Sequence, residues 1–478
     1  MYLPFAISPF LIQCFVCATV SMNVLSNGCA YGFPAVLLPQ LKLPDSPIPL
    51  TKAQESWIAS IITIAMLVGN LSMPLILDKL GRKKAHFLVN IPAVVGWLLI
   101  IFANNVQIIL LARLMQGLSF GQMVPLRAVV IGEYSSPKNR GAFLTTTTVA
   151  QTLGMFLVHL IGSLIHWKMT ALICISFTLI SFIMTFFLPE SPSWLASKGR
   201  YDECKQHFHK LRGDQEEAEL NELIQARMEH NATKTVINLK NSVEIVRKVE
   251  FYKPILLFLH VTLLVYVAGG MNLAVYGVAI VGLIMGPGVD ANFWLVEIDI
   301  LRIITNILAV YFMKMCLRRT VAFSTGVLCF IVHIAVVAHV IMIKQGITLF
   351  DYIWIPALLL NLQCFAISAG VLPIMCVIAG EIFPLAYRSI GISFGTAIAT
   401  LFHFLILKTF PYLTSSVGIE GVYGIYGSVI LYCLIVMWFL MPETKGRTLQ
   451  QIEDNLKGVD RSSKIDCNTK TSAPTDKF

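Results

Sequence analysis

The feature that most constrains this chain is a series of long apolar runs separated by short segments that carry the charge. Many runs reach the roughly 20 residues that a helix needs to cross a bilayer core of about 30 Å. Of the 478 residues only 13% are charged and 56% are hydrophobic, which is too little charge for the surface of a soluble protein of this size. Because the runs are continuous rather than alternating, they predict membrane helices and exclude an outer-membrane barrel.

The apolar runs divide into two sets of six. The predicted fold class is therefore an all-α polytopic membrane protein with twelve transmembrane helices in two six-helix bundles. The predicted helices cover residues 8–31, 55–77, 85–103, 106–131, 142–165, 167–188, 254–285, 293–315, 320–343, 352–379, 390–413 and 420–441. The predicted units are an N-terminal bundle (1–188), a loop (189–253) with short helices at Tyr201–Arg212 and Glu216–His230, a C-terminal bundle (254–441) and a tail (442–478).

Basic residues lie in alternate loops, which predicts the orientation of the chain. By the positive-inside rule these loops face the cytoplasm, together with both termini and the central loop. The basic residues concerned are Lys79, Arg82, Lys83, Lys84, Lys138, Arg140, Lys314, Arg318, Arg319, Arg388, Lys445 and Arg447. The first apolar run lacks a basic leader and a small-residue cleavage site, so it is interpreted as a membrane helix, with a removable signal peptide as the alternative.

Charge and cysteine content exclude several classes of function. The formal charge of +9 reflects these loops rather than a surface for nucleic acid, so the lipid bilayer is the expected surrounding and nucleic acid is not an expected partner. The eleven cysteines show no metal-ligand spacing, and most of them lie in apolar runs as small packing residues. No nucleophile elbow or phosphate loop is visible, so we expect no catalytic residues, metal, cofactor or enzyme activity.

Three polar motifs recur in the same order, six helices apart. Gly132–Gly141 (GEYSSPKNRG) corresponds to Gly380–Ser389 (GEIFPLAYRS), with an Arg seven residues after the Glu in both. Asp78–Lys83 corresponds to Lys314–Arg319, and the Pro-Glu pair at 189–190 corresponds to the one at 442–443. Two such halves in parallel orientation are typical of carriers that bind a solute between the halves near the membrane midplane.

Together these motifs resemble the sugar porter family of the major facilitator superfamily. The matching segments are DKLGRKK at 78–84, Arg113 with the 132–141 motif, PESPSWL at 189–195, GEIFPLAYRSIG at 380–391 and PETKGRTLQQIE at 442–453. The resemblance covers the whole transmembrane region. Two further segments, Glu55–Ile58 and Lys408–Phe410, are most similar to insect facilitated trehalose transporters.

The resemblance implies that charged residues at the cytoplasmic ends form ion pairs that lock the two halves in the outward-facing state. The alternative is that they only set topology and helix ends. The gate residues are Asp78, Arg82, Glu133, Arg140, Glu190, Arg318, Glu381, Arg388 and Glu443. The second-half copy departs from the family pattern, with Lys314 in place of an acidic residue and Leu317 in place of a Gly.

The central site departs further from the family pattern. The usual helix 5 Gln is Thr148, although Gln151 lies on the same helical face and could substitute for it. The helix 7 amide pair, the helix 10 Trp and the helix 11 Asn-Trp are all replaced. Leaving sugar hydroxyls without partners costs roughly 1–3 kcal/mol each. The residues at the matched positions, and hence the candidate solute-binding residues, are Thr148, Gln151, Tyr266, Asn272, Cys376 and Thr400.

Helix 8 adds ionisable groups within the membrane, where such groups face a cavity or pair internally. Asp299, Arg302, Thr305 and Asn306 share one helical face. Arg302 is therefore a seventh candidate for solute binding, as the partner of an anionic or strongly polar solute. An internal Asp299–Arg302 ion pair is the alternative. Arg127 in helix 4 raises the same question.

Three hypotheses for the function follow. The first is a facilitative carrier of a sugar or sugar-like solute of the trehalose or glucose class, located in the plasma membrane, for which a monomer is sufficient. Helix 1 lacks the acidic residue that proton symporters of this family carry, so passive exchange is expected. The second is a carrier of a non-sugar solute such as an organic anion. The third is a transport-inactive sensor, which the retained gate charges and short tail disfavour.

Overall fold

The structure is a computed structural model that describes residues 8–213, 216–232, 249–347, 352–383 and 388–445. Within these ranges the chain folds into helices and their connections. In order they are α1 (Pro9–Leu41), α2 (Lys52–Leu80), α3 (Arg82–Ile101), α4 (Val106–Tyr134), α5 (Pro137–Leu164), α6 (Trp167–Thr185), α7 (Pro192–Ser197), α8 (Tyr201–Arg212), α9 (Glu217–Ala232), α10 (Val249–Val267), α11 (Gly270–Met285), α12 (Ala291–Met315), α13 (Arg318–Lys344), α14 (Trp354–Ala366), a π-helical segment (Ile367–Val371), α15 (Leu372–Glu381) and α16 (Arg388–Leu440).

The predicted twelve membrane helices are confirmed. Ten helical stretches of the described chain are long and apolar enough to cross a membrane. In that count α16 is one stretch, although two helices meet within it at Gly418, whose φ is 71°. The count omits α12, which carries Glu297, Asp299 and Arg302. With α16 taken as two helices and α12 added, the described chain has twelve membrane helices. The chain is therefore a multi-pass membrane protein.

Some helix bounds differ from the prediction. The first helix continues to Leu41, ten residues past the predicted end, with Pro34 and Pro39 inside it. Proline is tolerated within membrane helices because neighbouring groups satisfy the backbone that it frees. In the central loop, α8 and α9 lie close to the two predicted short helices. Residues 1–7 and the tail from 446 onwards, which includes Arg447, lie outside the described residues.

The seventh predicted helix is broken into α10 and α11. The break lies at Gly269, which adopts a φ of 92° that only glycine reaches without strain. It leaves the carbonyl of Ala268 without its helical partner, and the Gln363 side chain donates to that oxygen at 2.7 Å. Tyr423 donates in turn to Gln363 at 3.1 Å. A buried amide thus satisfies the backbone of the break.

Helices α1 to α6 form the N half, in which two pairs of helices touch backbone to backbone. A Cβ added at Gly28 of α1 would lie 2.1 Å from the Gln151 carbonyl oxygen of α5, and one added at Gly154 of α5 would lie 2.0 Å from that of Leu25. Similarly, a Cβ at Gly121 of α4 would lie 2.1 Å from the Met66 carbonyl oxygen of α2. Small residues permit this close approach between membrane helices.

The central-loop helix α8 is docked onto the N half. The Gln13 side chain of α1 donates to the carbonyl of Leu211 at 2.9 Å and accepts from the backbone N–H of Ser136 at 3.2 Å. Leu211 is buried. One amide therefore joins the loop to the start of α1 and to the cap of α5, at the end of the bundle that carries Arg82, Arg140 and Arg318. This end is called the basic end below, and the other the opposite end.

We expect a Gly154→Ala substitution to destabilise the protein by about 1–3 kcal/mol, because the added methyl group must push α1 and α5 apart. The measurement is the thermal unfolding midpoint in detergent. Gly282→Ala is the matched control, since a Cβ there meets nothing within 4 Å. If the two variants melt at the same temperature, the contact between α1 and α5 does not limit stability.

Candidate functional site

Helices α10 to α16 form the C half. The two halves meet through polar and aromatic contacts at the opposite end. Ser56 of α2 donates to the Lys408 carbonyl of α16 at 2.6 Å. The Lys408 ammonium lies 3.8 Å from the centre of the Trp57 ring, a cation–π contact. Deeper in the bundle, Tyr31 of α1 and Nε2 of His403 in α16 are hydrogen-bonded at 2.7 Å. These contacts close the opposite end between the halves.

An aromatic layer lies at the level of His403. The His403 ring stacks on Tyr266 of α10, with ring centres 4.6 Å apart and an interplanar angle of 11°. On its other side it meets Tyr31, at 5.8 Å between ring centres. All three side chains are buried. A single histidine therefore bridges an aromatic ring of the N half and one of the C half near mid-depth.

A buried ionic cluster also joins the halves. Nδ1 of His159 in α5 lies 2.5 Å from Oδ2 of Asp299 in α12. The other carboxylate oxygen of Asp299 is 3.0 Å from Nη1 of Arg302, an electrostatic contact without the alignment of a hydrogen bond. Asp299 is 1% exposed and Arg302 7%. One carboxylate is thus shared by an imidazole and a guanidinium inside the bundle.

The second ring nitrogen of His159 ties the cluster to two more helices. Its Nε2 faces the carbonyl oxygens of Gly32 and Ala274, each at 3.2 Å. Carbonyl oxygens only accept hydrogen bonds, so Nε2 is the donor in these contacts. His159 therefore connects α1, α5, α11 and α12.

Closer to the basic end, another intramembrane arginine, Arg127, lines a small cavity between helices of the N half. Nη1 of Arg127 in α4 donates to Oε1 of Gln151 in α5 at 3.0 Å. Both side chains are half-buried and line a small cavity together with Asn27 and Phe120. Cys376 of α15, in the C half, lies near Arg127. These side chains form a polar site below the aromatic layer.

The predicted solute-binding residues fall into two groups. Gln151 lines the small cavity beside Arg127, Tyr266 stacks on His403, and Cys376 and Thr148 are exposed, with Thr148 one turn of α5 from Gln151. The other three are engaged within the protein. Asn272 donates to the Tyr426 hydroxyl at 3.5 Å, Thr400 donates to the Thr396 carbonyl at 2.8 Å, and Arg302 contacts Asp299.

Sequence reasoning missed His159, although a signal for it was present. Gln151, Met155 and His159 follow one another at four-residue intervals, so they share one face of α5. Gln151 bonds to Arg127, Met155 contacts Arg302 at 4.0 Å, and His159 bonds to Asp299. His159 lies on the helical face of Gln151, two turns further along α5, so this face predicts it. The shared face of Asp299, Arg302, Thr305 and Asn306 is buried as a unit.

At the basic end of the N half, Arg82 forms a bidentate pair with Glu133. Its Nε and Nη2 donate to the two carboxylate oxygens at 2.7 and 2.5 Å. Glu190 accepts from the backbone N–H groups of Arg82 and Ser191 at 2.8 and 3.0 Å. The Ser191 hydroxyl donates to Glu133 at 2.5 Å. Two carboxylates therefore connect α3, α4 and the segment after α6.

The C half repeats this arrangement with the corresponding residues. Arg318 contacts Glu381 at 3.5 Å. Glu443 accepts from the backbone N–H groups of Arg318 and Arg319, each at 3.0 Å. Thr444 donates to Glu381 at 2.5 Å, as Ser191 does to Glu133. The internal repeat that the sequence indicates is therefore also a structural repeat, with a longer ion pair in the second half.

In this conformation, the described gate contacts lie within each half. Asp78 is exposed and pairs with Lys198 at 3.4 Å. Nε of Arg140 is buried without a hydrogen-bond partner. The side chain of Arg388 lies outside the described part of the chain. The lock across the halves was expected for the outward-facing state, and it stays a prediction.

The cluster around Glu443 has an electrostatic signature at the edge of the membrane. Burial raises the pKa of Glu443, but backbone N–H groups, among them those of Lys445, Arg319 and Arg318, outweigh it and leave the pKa below its usual value. These backbone N–H groups therefore favour the charged form of the Glu443 carboxylate. In the described part of the chain, no group of three His, Cys, Asp or Glu side chains is arranged to hold a metal ion.

Comparison with known proteins identifies relatives along the whole membrane region. The model of the "Sugar (and other) transporter" family matches residues 10–456. The facilitated trehalose transporter Tret1 of Bombyx mori is 27% identical over 459 residues, covering 94% of this chain and 87% of the relative. Tret1 of Polypedilum vanderplanki is 25% identical over 465 residues, covering 95% and 90%.

Solved structures share the fold. The inward open conformation of the xylose transporter XylE from E. coli has a TM-score of 0.72 at 15% identity, and the match covers 94% of this chain and all of that one. The partially occluded inward open conformation of the same transporter has a TM-score of 0.74, also at 15% identity, covering 92% of this chain and all of the other. These matches show the major facilitator fold.

We expect Asp299→Ala to destabilise the protein by about 3–5 kcal/mol, because it leaves Arg302 and His159 buried without their counter-charge. Thermal unfolding in detergent measures the effect. The control is Glu420→Ala, which removes an exposed ion pair with Lys344 and should cost about 0–1 kcal/mol. Equal melting temperatures would mean that the buried cluster does not hold the halves together.

The two basic-end clusters should differ in strength. Glu133→Gln removes the carboxylate charge and one of the two oxygens that accept from Arg82, at about 1.5–3 kcal/mol, whereas Glu381→Gln weakens one contact at 3.5 Å. Thermal unfolding of the two variants in parallel should show the larger loss for Glu133→Gln. The asymmetry is refuted if Glu381→Gln costs as much.

Proposed function

Because this chain belongs to the sugar (and other) transporter family, we propose that it is a facilitative carrier of a sugar or sugar-like solute. The proposed solute class is that of trehalose and glucose, and its insect relatives are named trehalose transporters. The solute would bind between the halves and cross by alternating access, without coupling to protons.

The observation that carries this proposal is the uneven distribution of contacts between the halves. Hydrogen bonds and ion pairs join the halves at the opposite end, through Tyr31 with His403 and His159 with Asp299. At the basic end, the described bonds of Arg82 and Arg318 remain within their own halves. An assembly closed at one end and separable at the other, with polar groups at mid-depth, is what alternating access requires.

The orientation and site residues are part of the proposal. The basic end would face the cytoplasm, with both termini and the central loop on that side of the plasma membrane, and the residues 1–188 and 254–441 would move as units. Gln151, Tyr266, Cys376 and Thr148 would face the solute. In the outward-facing state, Arg140 and Arg388 would approach Glu381 and Glu133 across the halves and close the basic end.

The test is uptake of labelled trehalose, glucose and a polyol into vesicles that hold the purified protein. We expect saturable uptake that a protonophore leaves unchanged, because no proton gradient drives passive exchange. Tyr266→Ala should lower the uptake rate about tenfold, because it removes an aromatic ring next to the site. Tyr412→Ala, which alters an exposed tyrosine, is the control.

Two outcomes would contradict the proposal. The absence of saturable flux for all three solutes would remove the carrier function. Uptake that collapses with the proton gradient would replace facilitated exchange by symport. A parallel Arg302→Ala variant separates structure from binding, since a residue held by Asp299 should affect stability more than the affinity for the solute.

A further inference from the structure

Arg127 differs from the other arginines of the described membrane helices in having few hydrogen-bond partners. Arg302 contacts the Asp299 carboxylate. Arg113 is fully buried and donates to the carbonyl oxygens of Ala30 and Ile58 and to the amide of Gln116. By contrast, the hydrogen bond described for Arg127 goes to one amide oxygen.

The polar groups described next to Arg127 are neutral. Asn27 of α1 and Gln151 of α5 line its cavity, together with Phe120 of its own helix, and Cys376 of α15 lies nearby in the C half. Among the residues that the structure describes, no carboxylate lies within 4 Å of its guanidinium. An arginine keeps its charge under physiological conditions. The cavity that Arg127 lines therefore holds a positive charge without a carboxylate partner.

Arg127, Gln151 and Asn27 keep donors and acceptors that no described side chain uses. Gln151 uses its Oε1 to accept from Arg127, which leaves its NH₂ group free to donate. A guanidinium presents a planar fork that fits the two oxygens of a carboxylate. Asn27 donates to Asn23 at 2.9 Å, so its carbonyl oxygen can accept from a hydroxyl. Cation, amide donors and an amide acceptor together match a molecule with one carboxylate and several hydroxyls.

We propose that Arg127 and Gln151 bind the carboxylate of a sugar acid, so that the transported solute is an anionic sugar derivative. This inference rests on the carrier function proposed above. The single guanidinium matches the charge of one carboxylate, whereas a phosphate monoester carries about −1.5 to −2 charges at neutral pH and would need a second cation. This proposal also explains why the aromatic and amide ligands usual in the family are replaced. The charge of Arg127 supplies the affinity that those ligands no longer provide.

The proposal predicts that transport moves charge. A monoanion that crosses while Arg127 stays within the N half carries one negative charge across the membrane. An inside-positive potential should therefore accelerate its uptake into vesicles, and a neutral sugar should show no such response. This readout depends on the charge of the solute rather than on affinity.

The experiment compares labelled glucuronate, glucose and glucose 6-phosphate in vesicles that contain the full-length protein, with and without an imposed potassium diffusion potential. We expect saturable, potential-dependent uptake of glucuronate in preference to the phosphate. Arg127→Gln should lower glucuronate uptake about 10- to 100-fold, the effect of losing a charge-assisted contact, and Arg127→Lys should retain part of it. Arg200→Gln removes a charge from an exposed ion pair and serves as the control.

The outcomes separate this inference from the function on which it rests. Glucose uptake without glucuronate uptake would overturn the anionic solute and leave the sugar carrier in place. Glucuronate uptake that Arg127→Gln does not change would overturn the assignment of the site. Preferential uptake of the phosphate would overturn the carboxylate. Absence of flux for all three probes would overturn both proposals, and any glucose flux of the Arg127→Gln protein shows that this variant is folded.

Discussion

The ionic cluster of His159, Asp299 and Arg302 is the interaction on which the conformation of this protein depends. Charges inside a membrane protein are costly unless they pair, and here the Asp299 carboxylate meets the His159 imidazole of the N half and the Arg302 guanidinium of the C half. Separating the halves at the opposite end would expose or isolate these charges. Closure at that end is therefore held by the cost of breaking the cluster as well as by the aromatic layer around His403.

Because the ionic cluster is costly to break, the two ends of the structure differ in how firmly the halves adhere. The halves adhere where the cluster, the Tyr31–His403 bond and the Ser56–Lys408 contact lie. At the basic end each half completes its own network, around Glu133 in one and Glu381 in the other. A half that satisfies its own charges can move as a unit, because separation leaves no carboxylate of these networks without a partner.

The two halves also differ in how firmly their helices pack. In the N half, glycines of α1, α4 and α5 touch the backbone of a neighbouring helix. In the C half, Gly370 and Gly395 face the side chains of Thr325 and Phe258 instead, and the helices are interrupted at Gly269 and by the π-helical segment. Side chains adjust more readily than backbone, and π-helical turns are frequent at functional sites. The C half is thus the half whose helix packing leaves more local freedom.

The sequence by itself determined the membrane-helix content, the division into two halves and the doubled charged motifs, because hydropathy and local motifs are read within one helix or loop. Its candidate solute-binding residues, Gln151, Tyr266 and Cys376 among them, stay predictions. Only the tertiary structure decided that Arg302 is held by Asp299, that His159 joins them, and that Arg127 has no carboxylate within 4 Å in the described part of the chain. Those outcomes depend on contacts between residues far apart in the chain, such as His159 and Asp299. The spacing of residues along a helix defines a shared face but not the partner that this face meets.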